Sequence, residues 1–504
     1  MFSSMVPDTA EEPLVGTATI LPFSPAPLPT EVADNRVGAD RCTKLVPTIR
    51  VLHLINGEHY SGAERVQDLL ARRLPDFGCE AGFACVKPRR FPIVRESRRT
   101  PLFEMRMRGR FDFRVVARLV DLVLEENYDL IHAHTPRTAL VGQWAARRAG
   151  VPFVYHVHSP AGRDSTRRWL NWISARVERS AVIAAERLIA VSPSLREEMI
   201  RRGVPAERVS YVPNGVPAAS LSIDRTRPTG EWTLGTVALF RPRKGTDVLL
   251  EALAVMRSRG ATVRLRAVGG FETPAYESAV RAQSERLGLA DAVDWVGFTR
   301  AVNEELAKID LFVMPSLFGE GLPMVVLEAM AAGLPVVASR VEGVPNAVAH
   351  RQTGLLVDPA SVSQLTQAIE EVVSGRIDYN ALSQAARRRH AEYFSDTAMA
   401  AGVATVYREV MGNAHSVVGC RAGALGDAPA ELTAGRRRGS DPGTAWESAS
   451  ERPLAADWVA AHEAIEVAAA AVRLGPPASA RQLASNRSAS GDVGKTTSVA
   501  AAGY

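Results

Sequence analysis

Short apolar runs alternate with helix-length segments through the middle of the chain, and the alternation runs through twice. In the first pass Arg50–Ile55 (RVLHLI), Tyr128–His134, Pro152–His158 and Arg187–Val191 read as strands, with Gly62–Leu74 as a helix. In the second, Trp232–Leu239, Thr262–Val268, Val293–Val296, Leu311–Met314 and Pro335–Ala338 read as strands, with Gly245–Arg259 as a helix. Runs this short and this uniformly apolar suit strands buried on both faces, as in a parallel sheet. Helices between them must then cover the two faces of that sheet. Two successive passes predict an α/β chain of two Rossmann-like domains facing each other across a cleft. The Pro- and Gly-rich stretch Pro213–Pro228 is the expected hinge. Open parallel sheets bind ligands beyond the carboxyl ends of their strands, so the cleft is the expected site.

The expected boundaries are a disordered leader over residues 1–47, an N-terminal domain over 48–215, a C-terminal domain over 216–392 and a low-complexity tail over 413–504. The leader is rich in Pro, Ala and Thr and the tail in Ala, Gly, Ser and Arg, neither with a lasting period. Within the tail, Ala455–Leu474 reads as an Ala-rich helix. Asp8, Glu11 and Glu12 stand where a signal peptide would be basic, and Pro13–Thr30 is broken by prolines. The expectation is a cytoplasmic protein, attached at most to the inner membrane surface. Cys42, Cys79, Cys85 and Cys420 are scattered without a C-x-x-C pair, which suits reduced thiols. A net charge of +5 and a pI of about 9.1 fit an anionic partner, but no nucleic-acid-binding motif accompanies them.

The stretch Met314–Arg340 (MPSLFGEGLPMVVLEAMAAGLPVVASR) carries the most chemistry. A strand ends near Met314, and a loop holds Glu320 and Gly321. A helix begins near Pro323, with proline at its first position, and stops at Gly333. The helix start aims free N–H groups and a partial positive charge at the loop, which suits a diphosphate. Glu320 and Glu328, eight residues apart, would repel phosphates. They make sense if they accept hydrogen bonds from sugar and ribose hydroxyls. In Gly235–Leu250 (GTVALFRPRKGTDVLL), Arg241, Arg243 and Lys244 precede Gly245 in a strand-to-helix turn. They could neutralise a leaving diphosphate. No D-x-D motif occurs, so no metal is assigned that work.

His132 and His134 end one strand, and His156 and His158 end another. Spacing of two puts each pair on one face. A zinc site there lacks a fourth ligand and an adjacent carboxylate base, so the preferred reading is buried strand histidines with one ring facing the cleft. Ser61–Gly62–Ala63–Glu64 follows the first strand, and its glycine permits close backbone approach at a helix start.

Together these residues resemble the family 4 retaining glycosyltransferases (glycosyltransferase group 1), over about Ile49 to Gly412. The strongest match is the glutamate pair within EGLPMVVLEAMAAGLPVVAS, followed by the Lys244–Gly245 turn. YVPNG at Tyr211–Gly215, Gly269–Gly270 and TGLLV at Thr353–Val357 support it. The resemblance implies the GT-B fold and transfer of a sugar from a nucleotide-diphosphate sugar, UDP- or GDP-linked, with retained anomeric configuration. It implies a glycan, lipid-linked or polysaccharide-precursor acceptor and no cofactor.

The resemblance also implies roles. Glu328 would bind the ribose, and Glu320 the donor sugar near its reacting carbon. The amides of Gly321 and Leu322 would hold sugar and phosphate. Lys244, with Arg241, would neutralise the diphosphate, and Asn214 would line the cleft. His158 would meet the sugar, and Gly62 would lie near the acceptor. A last helix, within 393–412, would cross back to the first domain. Three departures stand out: Leu239 replaces a common arginine, Ser61 replaces a glycine, and a Gly-Gly-x-x-Glu loop reads Glu342–Gly343–Val344–Pro345–Asn346. The alternatives are a non-catalytic sugar-nucleotide binder, or an epimerase or phosphorylase of the same architecture. Lys87–Arg118 is rich in arginine, which suits an anionic membrane surface or a solvated basic face.

Overall fold

The computed structural model describes residues 48–109, 112–159, 179–220 and 225–423, with residues 413–423 as helix backbone alone. The chain divides into two compact units, Met1–Gly426 and Asp427–Tyr504. The second unit, the leader expected over 1–47 and the helix expected over Ala455–Leu474 lie outside the described residues.

The first unit contains two parallel sheets. The first is built from β1 (Ile49–Ile55), β2 (Cys79–Cys85), β3 (Leu102–Glu104), β4 (Leu130–Ala133), β5 (Phe153–Val157), β6 (Arg187–Ala190) and β7 (Val209–Tyr211). Its order is β3-β2-β1-β4-β5-β6-β7. The second is built from β8 (Trp232–Val237), β9 (Val263–Val268), β10 (Val293–Gly297), β11 (Leu311–Met314), β12 (Val336–Ser339) and β13 (Gly354–Val357), in the order β10-β9-β8-β11-β12-β13. In each sheet the order reverses direction beside the first strand, between β1 and β4 and between β8 and β11. Neighbouring loops diverge at such a point and leave a crevice.

The expected strands are all present, with ends that differ from expectation by at most two residues. Four more were not expected. β2 reads CEAGFAC, where small residues interrupt the apolar run; Gly82 leaves room for the Tyr128 hydroxyl, which would lie 1.8 Å from a Cβ there. β3, β7 and β13 have only three or four residues. Both sheets are closed by apolar contacts: Val51, Leu54, Ile131 and Val157 are buried in the first, and Leu234, Leu265, Leu311 and Val337 in the second.

The chain passes between the two halves at Asn214–Val216 and again at Phe394–Asp396. The two passages touch: Val216 N–H donates to the Phe394 carbonyl (2.9 Å), and Asp396 N–H to the Val216 carbonyl (3.1 Å). The returning helix begins later than expected. One helix ends at Tyr393, and the crossing helix starts afresh at Asp396 and runs to Gly423. Asp396 sits at its positive end and pairs with Arg73 at 2.7 Å.

Candidate donor site

The two loops at the switch point of the second sheet meet around one carboxylate. β11 delivers a loop from Pro315 to Pro323, and β8 delivers the short turn Pro242–Lys244. Glu320 is 5 % exposed. Its Oε1 accepts from Lys244 Nζ (2.6 Å), Arg243 Nη1 (3.2 Å) and Ser316 Oγ (2.8 Å). Gly245 lets the loops approach: its φ is +65°, and a Cβ would lie 2.0 Å from the Pro315 carbonyl oxygen. Burial works to raise the Glu320 carboxyl, but the charges of Lys244 and Arg243 outweigh it and hold the group below the usual carboxylate range. For Lys244 burial prevails over the pull of Glu320, and with Arg243 beside it the ammonium lies below its ordinary value. Arg241 stands apart, paired with Glu272 at 3.4 Å. Of the two arginines in this turn, Arg243 is the one that reaches Glu320.

The helix after this loop spans Met324–Ala331, with Pro323 as its cap rather than its first residue, and Gly333 ends it at φ +68° as expected. Glu328 lies on it, 3 % exposed, and Arg65 from the Gly62–Arg73 helix of the first half closes an ion pair on its Oε1. Among the described residues its Oε2 has no hydrogen-bond partner. Burial pushes the Glu328 carboxyl up, and Arg65 offsets only part of the rise. A buried acceptor of this kind is costly unless something donates to it.

Three further contacts join the halves here. Asn214 Nδ2 donates to the Leu322 carbonyl at 2.9 Å. Gly321 packs on His158: a Cβ on the glycine would lie 1.8 Å from the His158 carbonyl oxygen. Exposed Gly62 faces Met324 across the cleft. The donor loop is braced from behind by Glu342, whose Oε2 accepts from the amides of Gly319 (2.9 Å) and Glu320 (3.1 Å). Glu342 has φ +26°, at the edge of the region that favours glycine. The two amide bonds account for a carboxylate there.

At the switch point of the first sheet, five rings gather on one face. His53 opposes His132 in register, and His134, His156 and His158 continue the row. His53, His132, His134 and His156 are buried, and His158 is half-buried at the cleft. Burial pushes all five down, His53 and His158 to about 3, so each ring is neutral. Tyr407 of the crossing helix caps the row. His53, Tyr407, Arg65, Ser316 and Glu342 were not singled out from the sequence as site residues. Only His53 had a local signal, a polar residue inside an apolar strand.

The glycosyltransferase group 1 family matches residues 221–389, and glycosyltransferase family 4 matches residues 60–220. A D-inositol 3-phosphate glycosyltransferase from Thermobispora bispora is 32% identical over 318 residues, covering 58% of this chain and 73% of that protein. The chain belongs to the family 4, group 1 glycosyltransferases. A second family member, a GDP-mannose-dependent phosphatidylinositol monomannoside mannosyltransferase from Mycobacterium tuberculosis, is 34% identical over 200 residues, 36% of this chain and 51% of that one. The crystal structure of HepE from Anabaena in complex with UDP-glucose matches with a TM-score of 0.62 and 25% identity, covering 72% of this chain and all of that one. The glycosyltransferase is therefore an α/β protein of the GT-B type. Among its described residues no helix is long and apolar enough to cross a membrane.

Proposed function

We propose that this glycosyltransferase moves a hexose from a UDP- or GDP-linked donor to a glycan or lipid-linked acceptor, with retention and without a metal. The observation that carries the reading is the buried Glu320 held by Lys244, Arg243 and Ser316 beside the donor helix, with Glu328 further along that helix. In this reading the unpartnered Oε2 of Glu328 accepts from the ribose hydroxyls. Glu320 and the amides of Gly321 and Leu322 meet the sugar and its phosphate. Lys244 and Arg243 neutralise the diphosphate as it leaves, the work a metal would otherwise do. His158 and Gly62 approach from the other half, on the sugar and acceptor sides. Glu320 is bound by two cations, which makes it a poor nucleophile or base. That favours deprotonation of the acceptor by the leaving phosphate on the same sugar face. The UDP-glucose held by HepE and the GDP-mannose named for the mycobacterial relative support the nucleotide classes.

Thermal unfolding with UDP, GDP, ADP and TDP tests the site. A nucleotide at about 100 times its dissociation constant should stabilise the wild type by roughly 2.7 kcal/mol, and Glu328→Ala should lose that shift. The matching sugar nucleotide should then give a product whose anomeric coupling, read by proton NMR, matches the donor's. A folded wild type that no nucleotide stabilises would sink the reading, and an inverted product would sink retention.

The proposed compartment is the cytoplasm, with the Arg-rich Lys87–Arg118 segment against an anionic membrane surface. Within it Ile93 is 62 % exposed and Phe113 48 % exposed, apolar groups beside basic ones. Flotation with phosphatidylserine vesicles should carry the protein upward at low salt and release it at high salt. Protein left at the bottom at low salt would count against the segment.

A further inference from the structure

The histidine row ends at the cleft, and four of its rings are linked through Tyr407 by an unbroken series of hydrogen bonds. We propose that His132, Tyr407, His53 and His134 form a one-way hydrogen-bonded chain that fixes the tautomer of His158, leaving its Nδ1–H as a donor toward the bound sugar. The last clause rests on the donor-site reading above; the chain itself does not.

The contacts are continuous. His132 Nδ1 lies 2.6 Å from the Tyr407 hydroxyl, and that hydroxyl lies 3.2 Å from His53 Nε2. His53 Nδ1 lies 3.3 Å from His134 Nε2, and His134 Nδ1 lies 2.9 Å from His158 Nε2. The direction follows from the buried end. Among the described residues His132 Nε2 has no partner. A neutral imidazole carries one N–H. Put on Nε2, that proton would be a second buried donor without a partner among the described residues, beside the one that His156 carries on whichever nitrogen holds its proton, and each such donor is costly. Put on Nδ1, it is donated to Tyr407, and the orphan is only a lone pair.

Every later step is then fixed. The Tyr407 oxygen accepts from His132, so its single hydrogen goes to His53 Nε2. His53 must carry its own proton on Nδ1 and donates it to His134 Nε2. His134 likewise donates from Nδ1 to His158 Nε2. His158 therefore holds its proton on Nδ1, the nitrogen its neighbour leaves open. Tyr407, His53 and His134 are positioning residues; only His158 would touch the substrate.

A metal ion is the competing use of these rings, since two sets of three lie close enough together to hold one. A dication would have to displace the ring-to-ring hydrogen bonds. Among the described residues no carboxylate hydrogen-bonds any of the five rings, so none would orient them or balance the charge.

The test is long-range proton–nitrogen NMR on the full-length, nitrogen-15 histidine-labelled protein, with His158 assigned by a His158→Gln variant. The wild type should show His158 protonated on Nδ1. Tyr407→Phe keeps the ring but removes the hydroxyl that sets the direction. It should give mixed tautomers at His158 and lower kcat by about tenfold, the worth of one good hydrogen bond, with nucleotide affinity changed less than about twofold. Protonation of His158 on Nε2 in the wild type overturns the proposal. So does a Tyr407→Phe protein in which the tautomer stays put. The wild-type spectrum decides alone if the variant does not fold. If the tautomers behave as expected while kcat stays unchanged, the chain stands and the sugar contact assigned to His158 falls.

Discussion

Lys244→Ala is expected to lower the turnover of this glycosyltransferase by about 10²–10³-fold, the usual effect of removing one preorganised group from a developing charge. Lys244 is the residue with the shortest contact to Glu320, and its ammonium lies below its ordinary value because burial dominates. It is therefore poorly solvated before the donor arrives, and a departing diphosphate offers it a stronger partner than water. The fold should survive the change. Arg243 and Ser316 keep their bonds to Glu320, and Glu342 keeps the loop amides. Nucleotide-induced stabilisation should shrink but persist, because Glu328, the proposed ribose ligand, is untouched. The decisive measurement is kcat at saturating donor. A value within about threefold of wild type would mean that the charge is neutralised elsewhere.

Gly321→Ala is the second large expected effect, and it separates closure from folding. A methyl group at residue 321 would lie 1.8 Å from the His158 carbonyl oxygen, an impossible distance, and that oxygen belongs to the opposite half. The halves can relieve the clash by rotating apart, which a core clash would not allow. Misplacement by about 1 Å can cost about 100-fold in rate, so turnover should fall by at least that much. The unfolding temperature without ligand should move little. Small-angle scattering with bound nucleotide should show a larger radius of gyration than the wild type. A variant that turns over normally would show that this contact is absent from the reacting complex.

Much of this architecture was legible in the sequence. The two passes of apolar runs gave both sheets, and the Pro323–Gly333 punctuation located the donor helix to within one residue. The glutamate pair and the Lys244–Gly245 turn were readable because each breaks a local pattern: a charge in an apolar helix, a cation run at a strand end. What was not legible depends on contacts between distant segments. Arg65 looks like an ordinary helix arginine until the fold sets it against Glu328, 263 positions further along. Arg241 and Arg243 are equivalent in sequence, and only the twist of a three-residue turn sends one to Glu320 and the other to Glu272. Glu342 stands where the resemblance leads one to expect glycine. Its use became visible only with the backbone angle and the two amides it accepts from. The break before the crossing helix has a local mark that the sequence reading passed over: Ser395 caps the helix, its Oγ accepting from the Ala398 amide at 3.1 Å, and the neighbouring passage at Val216 pairs with the chain on either side of it.

The two passages between the halves lie side by side and are stitched by paired backbone hydrogen bonds. Two strands of chain meeting at one place make a pivot rather than a tether. The halves can swing about it, but they have no slack to slide or drift apart. Opening and closing then reduce to a single angle, as in a pair of tongs. A fraction of an ångström gained at the pivot is multiplied along the arms to the jaws. One interprobe distance across the cleft would accordingly report the state of the whole enzyme, and substitutions near Val216 would retune its grip from far behind the substrate.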